Sequence, residues 1–406
     1  MGILVQKFGG TSLSTPQARE HVIRHVKREL ASGYNLVIVV SAMGRRGEPY
    51  ATDTLLDWAV QNGNALGDRE KDLLMCCGEI ISATTLCGLL ENEGIPSTVL
   101  TGAQAGFVTD NSYGNARILD VRPERILREL RDQKVVIVTG FQGQTEAGDF
   151  TTLGRGGSDT SATALGAALR ADMVDIYTDV NGILTADPRI VEDAKPLTIV
   201  SYTEICNMAH QGAKVIHPRA VEIAMQAQIP VRVRSTFSDT EGTLVTHPEG
   251  FNDVQAGIVD RFVTGIAYVS NVTQISVECP DGNGTGMQLQ IFKSMADNGI
   301  SVDFINVTPT EALYTVFDDH SEKAIAALQE LGLRPKSLSG CAKVSVIGGG
   351  INGVPGIMAQ IVEALSSQNI QILQSADSNT TIWVLVKKED MVQSLRALHA
   401  KFELHR

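Results

Sequence analysis

"VQKFGGTSLS", residues 5–14, carries an apolar strand into a lysine, two glycines and two hydroxyl residues that lead into a helix. Glycines let a ligand approach the backbone closely, and bare amides at a helix start attract anions. Lys7 adds a full positive charge at the strand end. The fragment reads as a phosphate site, and equally as an ordinary strand-to-helix turn with a solvated lysine. Its surroundings have to decide.

Working outward, "ILVQKF" precedes a helix near 15–32, and "NLVIVVSA" follows. Helices run to about residue 93, then come "STVLTG", a helix near 122–132 and "KVVIVTGF". "MVDIYTD" and "VRVRS" are later strands with helices between them. This alternation from Ile3 to about Ser235 predicts an α/β fold, a mostly parallel sheet sandwiched by helices. "QGQTEAGDFTTL" predicts an inserted hairpin with its tip near Ala147-Gly148.

Residues 247–262, "HPEGFNDVQAGIVDRF", are polar and turn-rich, and mark a linker after a first domain of residues 1–246. Beyond it the chain repeats itself. "TQISV" (273–277) matches "AKVSV" (342–346), and "LYTVF" (313–317) matches "IWVLV" (382–386). Between them, "MQLQIFKSMADNGISVDFI" (287–305) matches "IMAQIVEALSSQNIQILQS" (357–375). Ile275 to Val344 and Tyr314 to Trp383 are each 69 residues apart, and Ile291 to Ile361 is 70. Each copy reads βαββα, the order of a small ferredoxin-like module, so residues 263–335 and 336–406 are expected to form a regulatory pair.

Composition narrows the class. The 406 residues are 43% hydrophobic and 20% charged, which supports two or three domains with real cores. The net charge of −12 argues against a nucleic-acid surface and for a cytoplasmic protein. "MGILVQKFGG" lacks the charged region and cleavage site of a signal peptide. "LLMCCGEIISATTLCGLL" (73–90) is long enough to span a bilayer but holds a glutamate, three hydroxyl residues and two glycines, so it reads as a core helix. Six cysteines without a C-x-x-C pair read as reduced thiols, and no H-E-x-x-H is present. No metal ligands from the protein are expected.

Several stretches carry chemistry. "GGGING" (348–353) fits a dinucleotide fingerprint, but the strand after the next helix turns straight into another strand, leaving no doubly wound sheet. No Walker-type loop and no protein-kinase motif set occurs. "TTLGRGGSDTSATALGAALRA" (151–171) surrounds Arg155 with three glycines and places Ser158 and Asp159 at N-cap positions before an alanine-rich helix. An arginine fork suits a carboxylate, and bare amides suit an oxyanion. Glu79 is the only charge in the apolar run and needs a cation, either a bound ammonium group or an internal lysine or arginine. "YTDVNGILTADPR" (177–189) leaves the C-terminal end of a strand, where ligands of open α/β sheets sit, and Lys214 in "QGAKVIHP" is placed to reach that edge.

"KFGGTS", "VIVVSAMG", "GRGGSDTSA" and "YTDVNGILTADPR", with the doubled C-terminal module, make the chain resemble the aspartate kinases over essentially its whole length. The resemblance implies an amino-acid-kinase domain followed by two ACT domains. It implies MgATP-dependent phosphorylation of the β-carboxylate of L-aspartate, the entry to diaminopimelate, lysine, methionine and threonine synthesis. Lys7 and Asp159 would be catalytic, Lys7 neutralising the transferred phosphoryl group and Asp159 orienting Lys7 or the metal. Ser41, Thr52, Glu79, Arg155, Gly156 and Ser158 would hold aspartate, with Glu79 on its α-ammonium and Arg155 on a carboxylate. Lys7, Phe8, Gly9, Gly10, Thr178, Asp179, Asp187, Arg189 and Lys214 would surround ATP, whose Mg²⁺ the nucleotide would carry.

The segment between Met43 and Thr52 is longer than in many relatives. "ILQSADSNTTIWVLV" (372–386) looks most like the diaminopimelate-sensitive members from Bacillus-type bacteria, with Ser301, Asp303, Asn352, Val354 and Gly356 as effector contacts. ACT pairing implies a homodimer or higher oligomer. Charge supports the chemistry. Two unit negative charges about 4 Å apart repel by roughly 4 kcal/mol at an effective dielectric of 20, close to a thousandfold in rate. A carboxylate nucleophile needs no base, so positioning and cations are what remain.

Overall fold

The structure is a computed structural model and describes residues 2–62, 66–213, 215–247, 262–279, 284–351 and 353–406. Lys214, Asn352 and most of the expected 247–262 linker lie outside these residues. The chain divides into two compact units. The first holds Met1–Ile183, Pro196–His210 and Lys214–Ile258; the second holds Leu184–Lys195, Gln211–Ala213 and Val259–Arg406.

The first unit opens with β1 (Ile3–Phe8), α1 (Gly10–Leu13), α2 (Pro16–Ala31) and β2 (Asn35–Val40). Then come α3 (Thr52–Asn62), α4 (Asp68–Asn92), β3 (Ser97–Leu100), β4 (Phe107–Thr109) and β5 (Ile118–Val121). Next are α5 (Glu124–Arg131), β6 (Val135–Thr139), β7 (Gln142–Thr145), β8 (Phe150–Thr152), α6 (Gly157–Leu169) and β9 (Met173–Thr178). It closes with β10 (Ile199–Ser201), α7 (Tyr202–His210), α8 (Pro218–Ala227), β11 (Val231–Ser235) and β12 (Thr243–Thr246).

Eight strands form one sheet in the order β10-β12-β11-β9-β1-β2-β6-β3, parallel throughout except where β11 meets β12. Its central strands are near-continuous apolar runs because helices cover both faces. Every residue of β6 is buried, and all but the first of β2. Parallel register brings the C-terminal ends of β1, β2, β6 and β9 to one edge, Phe8 pairing with both Val40 and Tyr177. The loops that follow these strands therefore meet there.

The apolar run of α4 is a core helix, as its polar interruptions suggest. Ala83, Leu86 and Leu90 pack with Leu36, Ile38 and Val135 beneath the sheet. Among the described residues α4 alone is long and apolar enough to cross a membrane. The expected hairpin is β7–β8, and it belongs to a four-stranded sheet in the order β5-β4-β7-β8.

The second unit runs β13 (Gly265–Glu278), α9 (Gly284–Asp297), β14 (Asp303–Thr308), β15 (Glu311–Phe317) and α10 (Asp318–Glu330). It repeats as β16 (Lys336–Ile347), α11 (Ile357–Ser366), β17 (Gln374–Asp377), β18 (Thr381–Lys387) and α12 (Met391–Lys401). Both βαββα copies share one sheet, β14-β15-β13-β16-β18-β17, joined where β13 and β16 pair antiparallel. Residues 184–195, which sequence order assigns to the first domain, belong to this unit: Ala186 and Val191 pack with Val344, Ile361 and Leu398.

Candidate active site

Lys7 sits next to the end of β1, flanked in register by Val39 and Ile176. Its Nζ lies 2.7 Å from Asp159 Oδ1. Asp159 stands in the first turn of α6, where a carboxylate also meets the positive end of the helix. The expected capping role is therefore corrected. The N-cap of α6 is Gly156, with φ +66° and no side-chain cap, and Ser158 and Asp159 are already inside the helix. Gly156 answers two demands at once: its left-handed backbone, and the His217 ring, which would lie 2.2 Å from a Cβ there.

The helix opened by the glycine pair differs from expectation too. α1 has only four residues, and α2 begins afresh at Pro16 under a Thr15 cap. One turn supplies little dipole, so the loop's use lies in close approach. A Cβ on Gly10 would sit 2.6 Å from the Ala42 carbonyl oxygen. Phe8 can serve that loop only through its main chain. Its side chain is fully buried and stacked on Tyr177 at 4.6 Å, and its carbonyl oxygen accepts from Ser41 N–H.

A crevice of about 450 Å³ gathers most of the expected residues. Lys7, Gly10, Ser41, Thr52, Glu79, Arg155, Gly156, Ser158 and Asp159 all line it. Glu79 is 2% exposed. Its Oε1 accepts from Ala42 N–H at 3.0 Å, while its buried Oε2 has no hydrogen-bond partner. Burial pushes its pKa up to about 8. No described lysine or arginine forms an ion pair with it, so of the two cation sources an internal one is not what the fold supplies. Arg155 is exposed on the crevice and makes no ion pair among the described residues. One end thus presents an unmatched buried acid and the same cavity an unmatched cation.

Thr178 ends β9 and Asp179 follows it at the same sheet edge. Asp179 pairs with Arg45 at 2.9 Å, and Arg45 and Arg46 also line the crevice. These arginines were missed by sequence reasoning. The available signal was "GRRG", the same glycine-flanked cation pattern as "GRGG", in the longer loop before Thr52.

Asp187 and Arg189 are not gathered into the crevice. Both belong to the second unit, where Arg189 holds Asp187 at 2.7 Å and lowers its pKa, and Tyr268 donates to Asp187 at 3.4 Å. Of the effector candidates, Asp303 pairs with the buried Lys343, Ser301 is exposed, and Gly356 caps α11 with φ +95° next to Val354. Away from the crevice lining, Cys206, His210 and Glu222 bring one ligand atom each within 4.8 Å of one another.

The Amino acid kinase family profile matches residues 2–235, and an ACT domain profile matches 336–400. Aspartokinase 1 of Bacillus subtilis is 54% identical over 404 residues, 100% of both chains. E. coli aspartokinase III in complex with aspartate and ADP superposes with a TM-score of 0.79 at 25% identity, over 98% of this chain and 99% of that one. The same enzyme in complex with lysine and aspartate gives a TM-score of 0.75 at 26% identity, over 98% and 99%.

Proposed function

The chain belongs to the aspartokinase family, and on that footing we propose that its crevice phosphorylates L-aspartate with MgATP to give 4-phospho-L-aspartate. An oxygen of the β-carboxylate bonds to the γ-phosphorus as the bond to the bridging oxygen breaks and ADP leaves. One observation carries the reading: a buried carboxyl without a cation and an arginine without an anion, among the described residues, line the same cavity as the Lys7–Asp159 pair. An amino acid satisfies both, its α-ammonium on Glu79 and a carboxylate in the fork of Arg155. Ser41, Thr52, Gly156 and Ser158 complete that end of the cavity.

Lys7 is the cation for the transferred phosphoryl group, held in line by Asp159. Gly9 and Gly10 leave room for phosphates, Gly10 being a cradle that a Cβ would fill. Thr178 and Asp179 extend the nucleotide side, with Lys214 as a further contact. The hard oxygens of Asp159 and the cramped glycine loop suit Mg²⁺ arriving on the nucleotide, which would neutralise charge between phosphates.

In E. coli the related enzyme is seen with lysine. For this chain we assign meso-diaminopimelate as the ACT effector, with Ser301, Asp303, Asn352, Val354 and Gly356 as contacts. The enzyme is read as a cytoplasmic homo-oligomer at the start of diaminopimelate, lysine, methionine and threonine synthesis.

ADP release with aspartate, glutamate, acetylglutamate or UMP, repeated with meso-diaminopimelate, lysine and threonine, tests these statements. Turnover with aspartate alone, abolished by Lys7→Ala and inhibited by meso-diaminopimelate, is expected. Turnover with another acceptor and none with aspartate overturns the substrate. Effector binding by calorimetry without any ATP binding would instead mark an amino-acid sensor.

A further inference from the structure

Among the described residues Arg155 has no ion-pair partner at its tip, which puts the weight of aiming it on the backbone that carries it. That backbone is held from two sides. Asp72 lies on α4 two turns before Glu79 and is fully buried. Its oxygens each accept from Gly114 N–H at 3.0 Å, and they accept from Thr152 N–H and the Thr152 hydroxyl at 2.8 Å. Arg219, on α8, meets the same two segments with opposite polarity. Its Nη1 donates to the Leu153 carbonyl and its Nη2 to the Ala116 carbonyl, both at 3.0 Å. Between these grips, Ala116 N–H donates to the Thr152 carbonyl at 2.8 Å.

Residues 114–116 and 152–153 thus form one joint. A carboxylate gathers its N–H groups and a guanidinium fork gathers its carbonyls. Gly114, Gly154 and Arg155, which stand on or directly beyond the joint, line the crevice. We propose that Asp72 and Arg219 are positioning residues that brace this joint and so fix where Arg155 presents its fork to the substrate carboxylate. The assignment of the carboxylate to Arg155 rests on the functional reading above.

The chemistry fits such a task. Each side chain ends in two rigid, coplanar groups, and each spans both segments, so neither segment moves without breaking a charge-assisted bond. Burial raises the Asp72 pKa and lowers that of Arg219, the cost of placing these charges among neutral backbone groups. Leucine and methionine of similar volume would pack there without that cost but would hold no joint.

The test compares Asp72→Asn, Arg219→Gln and Arg155→Ala by steady-state kinetics, thermal unfolding and amide hydrogen exchange. In Asp72→Asn and Arg219→Gln the KM for aspartate is expected to rise roughly tenfold or more, with the KM for ATP nearly unchanged. Combining either with Arg155→Ala adds little, because both act through one side chain. Arg219→Lys keeps the charge but not the fork and stays defective. Amide exchange is expected to speed up at residues 114–116 and 152–156 ahead of the rest of the first unit. Unchanged aspartate KM in folded variants overturns the brace, and so does loss of folding in both, which makes the pair purely structural. A wild-type enzyme inert toward aspartate overturns the functional reading instead, and the exchange pattern then decides the brace alone.

Discussion

Glu79 is the residue whose chemistry is most exposed to experiment. It was legible as the one charge in an apolar run, and the fold leaves its Oε2 buried and unpartnered. With its pKa near 8, the free enzyme holds the carboxyl protonated at neutral pH. An arriving ammonium draws the proton off, so the KM for aspartate should fall as pH rises and level off above about 8. Glu79→Gln should flatten that profile and raise the KM for aspartate roughly ten- to a hundredfold, the loss of one charged hydrogen bond, with little change for ATP. Equal effects on both substrates would remove Glu79 from the ammonium site. Stability gives the sign independently. The unfolded chain releases this proton near 4.5 and the folded one near 8, so Glu79 alone takes about 1.4 kcal/mol per pH unit from the ligand-free enzyme across that window, read as the difference between wild type and Glu79→Gln. Asp72, by contrast, was invisible in sequence. Its donors are two backbone amides and the Thr152 hydroxyl, 42 and 80 residues away, and nothing in local spacing announces a carboxylate with such partners.

At the scale of elements, the sheet strands and the long helices were readable because apolar runs and their alternation are local signals. The helix starts beside the two glycine loops were not. "FGGTSLST" looked like one helix start and holds two, since Thr15 and Pro16 form a stronger start than the glycines. What fixes the short α1 is tertiary: the hydroxyls of Ser12 and Thr236 lie 2.7 Å apart, and His25 on α2 bonds the Thr236 carbonyl oxygen at 2.9 Å. His25 is fully buried, and burial lowers its pKa to about 4. Below pH 6.5 the unfolded chain takes up a proton that the folded one refuses until about 4. In urea unfolding His25 therefore contributes a fall in stability of about 1.4 kcal/mol per unit as pH drops through that window, opposite in sign to the contribution of Glu79 above 4.5, and it is read as the difference between wild type and His25→Gln. His25→Gln should remove that slope. Identical slopes in both proteins would mean that the ring is not held neutral by its site.

At the scale of the molecule, the repeat was legible from matched segments about 69 residues apart, but its consequence was not. Two consecutive copies suggested a pair at 263–335 and 336–406 but not how it is joined: their first strands pair with each other through 14-residue β13 and 12-residue β16. Side chains cross the same seam. Lys343 reaches Asp303, and Gln374 bonds both Gln274 and the Phe304 carbonyl oxygen. The segment 184–195 joins this unit through Ala186 and Val191, a contact with residues 150 or more positions later that no local pattern encodes. A chain ended at residue 335 would leave β13 as a long edge paired on one side only, to β15, and strip Ala186 and Val191 of most of their packing. An edge of that length is a template for association with other copies. Size-exclusion chromatography and thermal unfolding of the truncated chain should show aggregates or a lower midpoint than the full chain. A well-behaved truncated protein, with 263–335 folded and protected in hydrogen exchange, would mean that each copy is stable alone and that the shared sheet serves communication rather than stability.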